Sequence, residues 1–456
     1  MRLLLSLIPL ALAAQQIAFR DVAVVDVEAG VARPDMTVIV SGRRIVAVRP
    51  SREIPIPAGA RVVDGRGKFL MPGLWDMHVH MHAGPDVAAD AANRTFFAPQ
   101  FVSHGITGVR SMWDSMASVR ALRADIDAGR IPGPRMVATG AMLDGPQPFW
   151  PGSISCATAE EGRAAVQRLK QEGAEFVKVY SGLPREAYFA IGSEAGRLGL
   201  PFAGHVPNGV SAAEASDAGQ KSVEHLLGVF ESCSPAGKTG PPTGMEKFGR
   251  GMRQAAAAYD PQRAASLFAR FVKNGTWFVP TLAVLRTVAF LGDPELTKDE
   301  RVNLLPGILP QFWKSPGPSM DPSSGSLAER KAHFDRELRL VGNMHRAGVK
   351  ILAGTDTPNP WVFPGTSLQE ELELLVQAGL TPAESLRAST LRPAEFVDAA
   401  SRLGTVSAGK MADLVLLSAD PLAGIANTRR IEAVMVDGRL YGARDLQKMT
   451  APARER

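Results

Sequence analysis

The sequence predicts an α/β protein, a (β/α)8 TIM barrel inserted in a small composite β-sandwich domain. Three observations lead there. Eight short apolar runs of strand length alternate with helical patterns through the middle of the chain. Both ends carry β-like texture, so the terminal pieces are expected to pair in space around the inserted middle. Five of the eight runs close on, or just after, a His, Lys or Asp, which is the pattern of a metal site at the rim of a barrel.

Taken in order, the chain begins MRLLLSLIPLALAAQQ. One Arg, a short apolar stretch and small residues read as a signal peptide over residues 1–14, cleaved near Ala13 or Ala14. The stretch is short for a bilayer span, and no later segment has eighteen unbroken apolar residues. The mature protein is therefore expected to be secreted or periplasmic, without stable membrane insertion. Residues 15–67 follow with IAFRDVAVVDV, MTVIV and RIVAVRP, the last two separated by a Ser41-Gly42 turn. Residues 401–445 return to the same texture in ADLVLLS and EAVMVDGRLY, with Asp437-Gly438 as a hairpin turn.

Residues 68–400 supply the barrel. Its strands are LMPGLWDMHVH, ITGVRS, RMVATGA, EFVKVY, PFAGHV, SVEHL, TWFVPT and KILAGTD. AEEGRAAVQRLKQEG and LAERKAHFDRELRLVGNMHRAG have helical spacing, the second presenting Phe334, Leu338, Val341 and Met344 on one face. Ser367 to Glu370 and Thr381 to Glu384 both fit a capping box, the second with Pro382 at the first helical position. Two connections, Gly228 to Asn274 and Ala283 to Val349, are long and contain Pro- and Gly-rich pieces expected to form lids or substrate walls.

Composition narrows the function classes. Hydrophobic residues make up 45% and charged residues 21% of the 456, ordinary for a globular protein. The formal charge of +5 comes from 51 Lys+Arg interspersed with 46 Asp+Glu, with no basic block, so nucleic acid is not an expected partner. The two cysteines, Cys156 and Cys233, fall in loops on one barrel face, where a disulfide and two free thiols are equally expected.

The chemistry lies at the strand ends. His78 and His80 are two apart on a strand, so both rings aim to the same side and can chelate one ion. Lys178 sits within an apolar strand, where an ammonium is costly unless paired or neutral. A Lys whose pKa is lowered enough reacts with CO2, and the carbamate is an anionic two-oxygen ligand able to bridge two metals. His205 and His225 end the fifth and sixth strands, and Asp356 ends the eighth.

Together LMPGLWDMHVH, the strand-four Lys, the two later His, ILAGTDT and the closing GTVSAGKMADLVLL resemble the amidohydrolase superfamily in its binuclear, carboxylated-lysine subtype. FVKVYSG, AGHVPN and SVEHL look most like its Xaa-Pro dipeptidase and imidazolonepropionase-like branch, which holds prolidases, dipeptide carboxypeptidases and N-acyl amino acid amidases. The resemblance implies two divalent ions, zinc first among Zn, Mn, Co and Fe. It places His78, His80 and Asp356 on the buried ion, His205 and His225 on the other, and carboxylated Lys178 between them. A hydroxide shared by the ions attacks a carbonyl, and Asp356 shuttles the proton to the leaving amine. Tyr180, on the face of Lys178, is expected to donate to the carbonyl oxygen or to pack. His82, Arg110 and Asn208 are expected to contact substrate, against blander readings of His82 as a loop histidine and of Arg110 as a structural ion pair. His104, before Gly105, is read as a cationic ring at a helix end.

The function expected is hydrolysis of a dipeptide-like or N-acyl amino acid C–N bond in a small-molecule substrate. The alternatives are ring opening of a cyclic amide and a non-catalytic barrel scaffold. The resemblance also implies a homo-oligomer.

Overall fold

The computed structural model describes residues 16–81, 87–235, 245–306, 309–314 and 325–450. The signal-peptide segment 1–14 and His82 lie outside the described residues.

The first strands are β1 (Gln16–Asp26), β2 (Val31–Ser41), β3 (Arg44–Pro50), β4 (Arg61–Asp64) and β5 (Phe69–Pro72). The barrel begins with β6 (Leu74–Val79), β7 (Ile106–Ser111) and β8 (Arg135–Ala138). A short pair, β9 (Leu143–Asp144) and β10 (Ile154–Ser155), follows. The barrel continues through β11 (Val177–Val179), β12 (Phe202–Gly204), β13 (Ser222–Glu224), β14 (Trp277–Val279) and β15 (Lys350–Ile351). The chain closes with β16 (Leu414–Leu417), β17 (Ile431–Val436) and β18 (Arg439–Gly442).

The two β-rich ends do pair. They form one eight-stranded sheet in the order β18-β17-β16-β5-β1-β2-β3, with β4 also on β1. The join is the antiparallel β5–β16 ladder, where Leu70 faces Leu416. The strands form one continuous hydrogen-bonded sheet with its own core of Phe19, Val24, Val38, Leu70, Leu414 and Met435. One expected strand is divided: FLMP of the run LMPGLWDMHVH belongs to this sheet as β5, and the barrel starts only at Leu74. The Asp437-Gly438 hairpin forms with both residues at positive φ, as a tight two-residue turn requires.

All eight barrel runs are strands, and neighbours pair in parallel. The ring closes at two seams. Glu175 N donates to Ala138 O at 2.9 Å between β8 and β11. Met77 N donates to Ala353 O at 3.0 Å and Asp356 N to His78 O at 2.7 Å between β15 and β6. The second seam holds the first and last strand ends together, 278 residues apart in sequence by the numbering (His78 and Asp356).

Helices follow the local signals. Ala159–Glu172 starts at Thr158, whose side chain accepts from Glu161 N, and stops at left-handed Gly173. Leu327–Arg346 opens with a Ser326/Glu329 capping box and buries Phe334, Leu338, Val341 and Met344. The Thr381/Glu384 box forms with Pro382 in the first turn. The Ser367 box does not, because the helix Thr366–Gln377 has Gly365 as its N-cap and already includes Ser367, whose Oγ accepts from Phe363 N instead.

The long connections are largely helical, including Met245–Ala257, Pro261–Asn274 and Leu282–Phe290. Most of their Pro- and Gly-rich pieces fall at 236–244 and 315–324, outside the described residues. Cys156 and Cys233 are both free and buried, so the disulfide is not formed. Among the described residues no helix is long and apolar enough to cross a membrane.

Candidate metal centre

The C-terminal ends of β6, β11, β12, β13 and β15 deliver their polar side chains to one place. Asp356 is the hub. Its Oδ1 lies 2.8 Å from His80 Nε2 and 3.3 Å from His78 Nε2, and its Oδ2 lies 3.9 Å from His225 Nε2. The ring centroids of His78 and His225 are 4.7 Å apart, and those of His205 and His225 are 5.0 Å apart. One ligand atom each from His78, His80 and Asp356 falls within 4.8 Å of the others, the spacing of a metal-binding group. Lys178 reaches the same region from β11 and is 1% exposed. Gly204 makes room for it, since a Cβ there would come within 2.9 Å of Lys178 Cδ and 2.2 Å of Val179 O.

The backbone is bent to do this. His225 and Asp356 both have positive φ, at 57° and 67°, conformations that non-glycine residues rarely adopt and that cluster at functional sites. His225 directly follows β13, and Asp356 lies in the segment that continues β15 toward the rim.

Hydrogen bonds then set which ring nitrogen faces the centre. His78 Nδ1 lies 2.9 Å from Glu224 Oε2, His205 Nδ1 lies 2.7 Å from Ser181 Oγ, and His225 Nδ1 lies 2.7 Å from Thr281 Oγ1. The Thr281 hydroxyl already donates to Pro280 O at 2.7 Å, so it accepts from His225 and the Nδ1 carries the proton. Glu224, an acceptor, fixes the same tautomer on His78. These partners leave the Nε2 lone pairs to a common centre, which is how protein imidazoles are oriented for a metal. His78 Nε2 is buried with no hydrogen-bond partner. A buried nitrogen left so, with a carboxylate beside it, is what a cation would satisfy.

Electrostatics favour the ligand forms. Burial holds His78 and His205 well below the usual imidazole range and His225 down at about 4, so the rings are neutral near pH 7. Burial pulls Lys178 down to about 8 against the attraction of Glu224 and Asp356. Burial pushes the Asp356 carboxyl up, but His225, the His80 hydrogen bond and Lys178 outweigh it, and the group stays below its usual range.

Other expected residues lie elsewhere. Arg110 is the clearest correction. It is 0% exposed inside the barrel, donates to Met77 O and Ser222 Oγ, and pairs with Glu224 at 2.9 Å. A guanidinium so enclosed has no free face for a substrate carboxylate. It holds Glu224, which holds His78. Asn208 is half-buried on the loop after β12, where its N–H donates to Ser181 O at 3.0 Å. Tyr180 lies beside the centre, its ring 4.1 Å from that of His205, and its oxygen accepts from Trp150 Nε1 at 2.9 Å. His104 is half-buried, and loss of solvent lowers its pKa, so a neutral Nδ1–H donates to Gln100 O at 2.8 Å instead of a cation facing the helix end.

Glu224, Ser181, Thr281 and the aromatic residues Trp113, Phe149 and Trp150 were missed in the sequence. Glu224 had a signal: it is the second polar residue of SVEHL, a charge in an apolar strand, the same argument that singled out Lys178.

Comparison with known proteins agrees with this geometry. A family model described as the Amidohydrolase family matches residues 69–441. Ochratoxinase of Aspergillus niger is 24% identical over 423 residues, covering 81% of this chain and 74% of that protein. Imidazolonepropionase of Geobacillus sp. (strain WCH70) is 39% identical over 71 residues, 15% of this chain and 16% of that one. A crystal structure of a candidate prolidase from Bifidobacterium longum superposes with a TM-score of 0.68 at 25% identity, covering 97% of this chain and 100% of the other.

Proposed function

The chain belongs to the amidohydrolase family, and from that membership we propose a metal-dependent hydrolase of dipeptide-like or N-acyl amino acid amides. The observation that carries the metal dependence is the gathering of His78, His80 and His225 through Nε2 around the Asp356 carboxylate, with His78 and His225 held from behind through Nδ1.

The donor set fits two divalent ions. His78, His80 and Asp356 would hold one, zinc in the first instance, and His205 and His225 the other. Lys178 would serve both as a carbamate. That modification is balanced in itself: the free amine's lone pair bonds the carbon of CO2, a proton leaves, and an anion takes the place of a buried cation. The lowered pKa of Lys178 supports it, since a share of the amine is unprotonated near neutrality. Divalent ions in such a site polarise a carbonyl and acidify water.

The chain's own residues handle the protons and the orientation. Asp356 is ionised and faces the centre, so it takes a proton from the attacking water and returns it to the amide nitrogen as the C–N bond breaks. Burial pushes the Tyr180 phenol up, so it stays protonated. Its oxygen accepts from Trp150, which leaves the O–H to donate to the substrate's carbonyl oxygen. Asn208, on the loop after β12, and His82 would line the substrate's approach. The MRLLLSLIPLALAA start supports export, and N-terminal sequencing of the secreted protein tests it.

The decisive assay is a panel of dipeptides and N-acyl amino acids, with cyclic amides alongside, using enzyme loaded with zinc, manganese or cobalt. Release of the free amino acid from linear amides is expected. Turnover of cyclic amides alone would favour ring opening, and no turnover of either class would overturn the proposal.

A further inference from the structure

An arc of aromatic rings leaves the metal centre at one histidine and returns to it at another. Tyr180 lies 4.1 Å from His205, and Phe149 is roughly parallel to Tyr180 at 6.5 Å. Trp150 meets Phe149 at 5.1 Å, Trp113 meets Trp150 at 6.0 Å, and His80 meets Trp113 at 6.1 Å, all between ring centroids.

These rings are not core. Tyr180, Trp113 and Trp150 are half-buried, and Phe149 is 47% exposed, the only aromatic among the exposed large hydrophobic residues described. Such rings usually bury most of their surface in a core or an interface. The arc is also built rather than incidental. Asp144, 2% exposed, accepts from Phe149 N through Oδ2 and from Gly182 N through Oδ1, both at 2.9 Å. That carboxylate ties the Phe149 loop to the loop carrying Tyr180. The two loops touch because residue 145 is glycine, where a Cβ would stand 2.1 Å from Gly182 O. The Trp150–Tyr180 hydrogen bond closes the tie on the other side. The β9–β10 pair anchors the whole loop at its base.

Charge narrows the ligand. In sequence, segments 111–116, 139–158, 180–184, 205–211 and 353–366, which follow five of the barrel strands, contain no Lys or Arg. Those five segments, which carry the arc and its neighbours, offer ring faces and no Lys or Arg side chain.

We infer that this arc is the specificity wall of the active site and takes an aromatic group carried on one side of the scissile amide. The inference rests on the proposed amide hydrolysis and goes further, naming the substrate class. A benzyl or phenyl group is planar, apolar and of the size that the Phe149–Trp150–Trp113 faces can cover. Burying such a ring in place of a methyl group is worth about thirty- to hundredfold in binding to a preformed apolar wall.

Two matched pairs test it on the metal-loaded full chain. N-acetyl-phenylalanine is compared with N-acetyl-alanine, and N-benzoyl-glycine with N-acetyl-glycine. At least one pair is expected to show a kcat/KM ratio above about tenfold in favour of the ring. Phe149→Ala and Trp150→Leu should collapse that ratio several-fold, mainly through KM. Phe149 is exposed, so its variant is expected to keep the wild-type Tm. In parallel, tryptophan fluorescence reads binding of the cleavage products, phenylalanine against alanine and benzoate against acetate, which needs no turnover. Ring-selective binding without hydrolysis would sink the proposed function and leave the wall standing. Equal binding within both product pairs, or a substrate ratio unchanged in Phe149→Ala and Trp150→Leu, would overturn the wall.

Discussion

The two ends of the barrel treat their polar groups in opposite ways. Near the N-terminal end of β8, Arg135 donates to Asp413 at 2.6 Å and also pairs with Asp437, which in turn pairs with Arg43. Asp413 further accepts from Asp437 N at 2.6 Å. Those charges saturate one another and staple β8 to the β-sheet domain. At the C-terminal end His78, His205 and His225 are tied through Nδ1, and Nε2 of His78, His80 and His225 gathers around the Asp356 carboxylate. Satisfied polar groups mark the end that stabilises, and groups aimed at a shared point mark the end that reacts.

That contrast breaks most sharply at the reactive end. Asp356→Asn and Lys178→Ala should each lower kcat/KM by about a thousandfold or more, measured with metal-loaded enzyme, because each removes a group used in catalysis itself. Short carboxylates such as acetate should partly restore the Lys178→Ala variant if the native ligand is a carbamate. A variant with near-wild-type turnover would remove Lys178 from the centre.

One layer beneath, Glu224→Gln should weaken divalent metal affinity by about ten- to a hundredfold, read by competition with a chelator. It frees His78 to take the other tautomer and leaves Arg110 buried without its charge partner. Unchanged affinity would mean that His78 is oriented by packing alone.

At the stabilising end, Asp413→Asn should cost about 1–3 kcal/mol of stability, seen as a lower Tm, with kcat/KM of the metal-loaded enzyme unaltered. A loss of activity without a loss of stability would erase the distinction between the two ends.

The smallest effect concerns Glu371, which is buried and accepts from Ala283 N, with Oε1 unpartnered. Burial pushes its carboxyl up to about 8. The fold therefore favours the protonated acid, so its contribution is intact below pH 4.5, the ordinary glutamate value, and is lost as pH rises toward 8. Glu371→Gln should raise Tm at pH 8 and leave it nearly unchanged at pH 4.5. Equal shifts at both pH values would place the effect elsewhere.

Much of the reactive end was legible in the sequence because its chemistry is written in strand ends. His78, His80, Lys178, His205, His225 and Asp356 each interrupt or close an apolar run, and parallel strands bring such positions to one rim. Arg110 carried the same mark, and of its two readings the structural ion pair holds and the substrate contact does not. A polar residue in a buried strand announces that it has a partner, but which partner depends on register across the barrel, and Ser222 and Glu224 lie 112 and 114 residues away. The aromatic arc left no periodic signal, because Trp113, Phe149, Trp150 and Tyr180 sit on loops, and the meeting of the Phe149 and Tyr180 loops depends on Asp144 and the glycine beside it. The β5 assignment failed for a related reason. FLMP and LWDMHV are continuous in hydrophobicity, and only pairing with β16 separates them.

The most direct test of the central claim is metal content at equilibrium. Full-length protein dialysed with zinc and bicarbonate is predicted to retain two ions per chain, and Lys178→Ala to retain at most one. Wild-type protein that holds no ion under those conditions, with its fold intact by circular dichroism, would contradict the account.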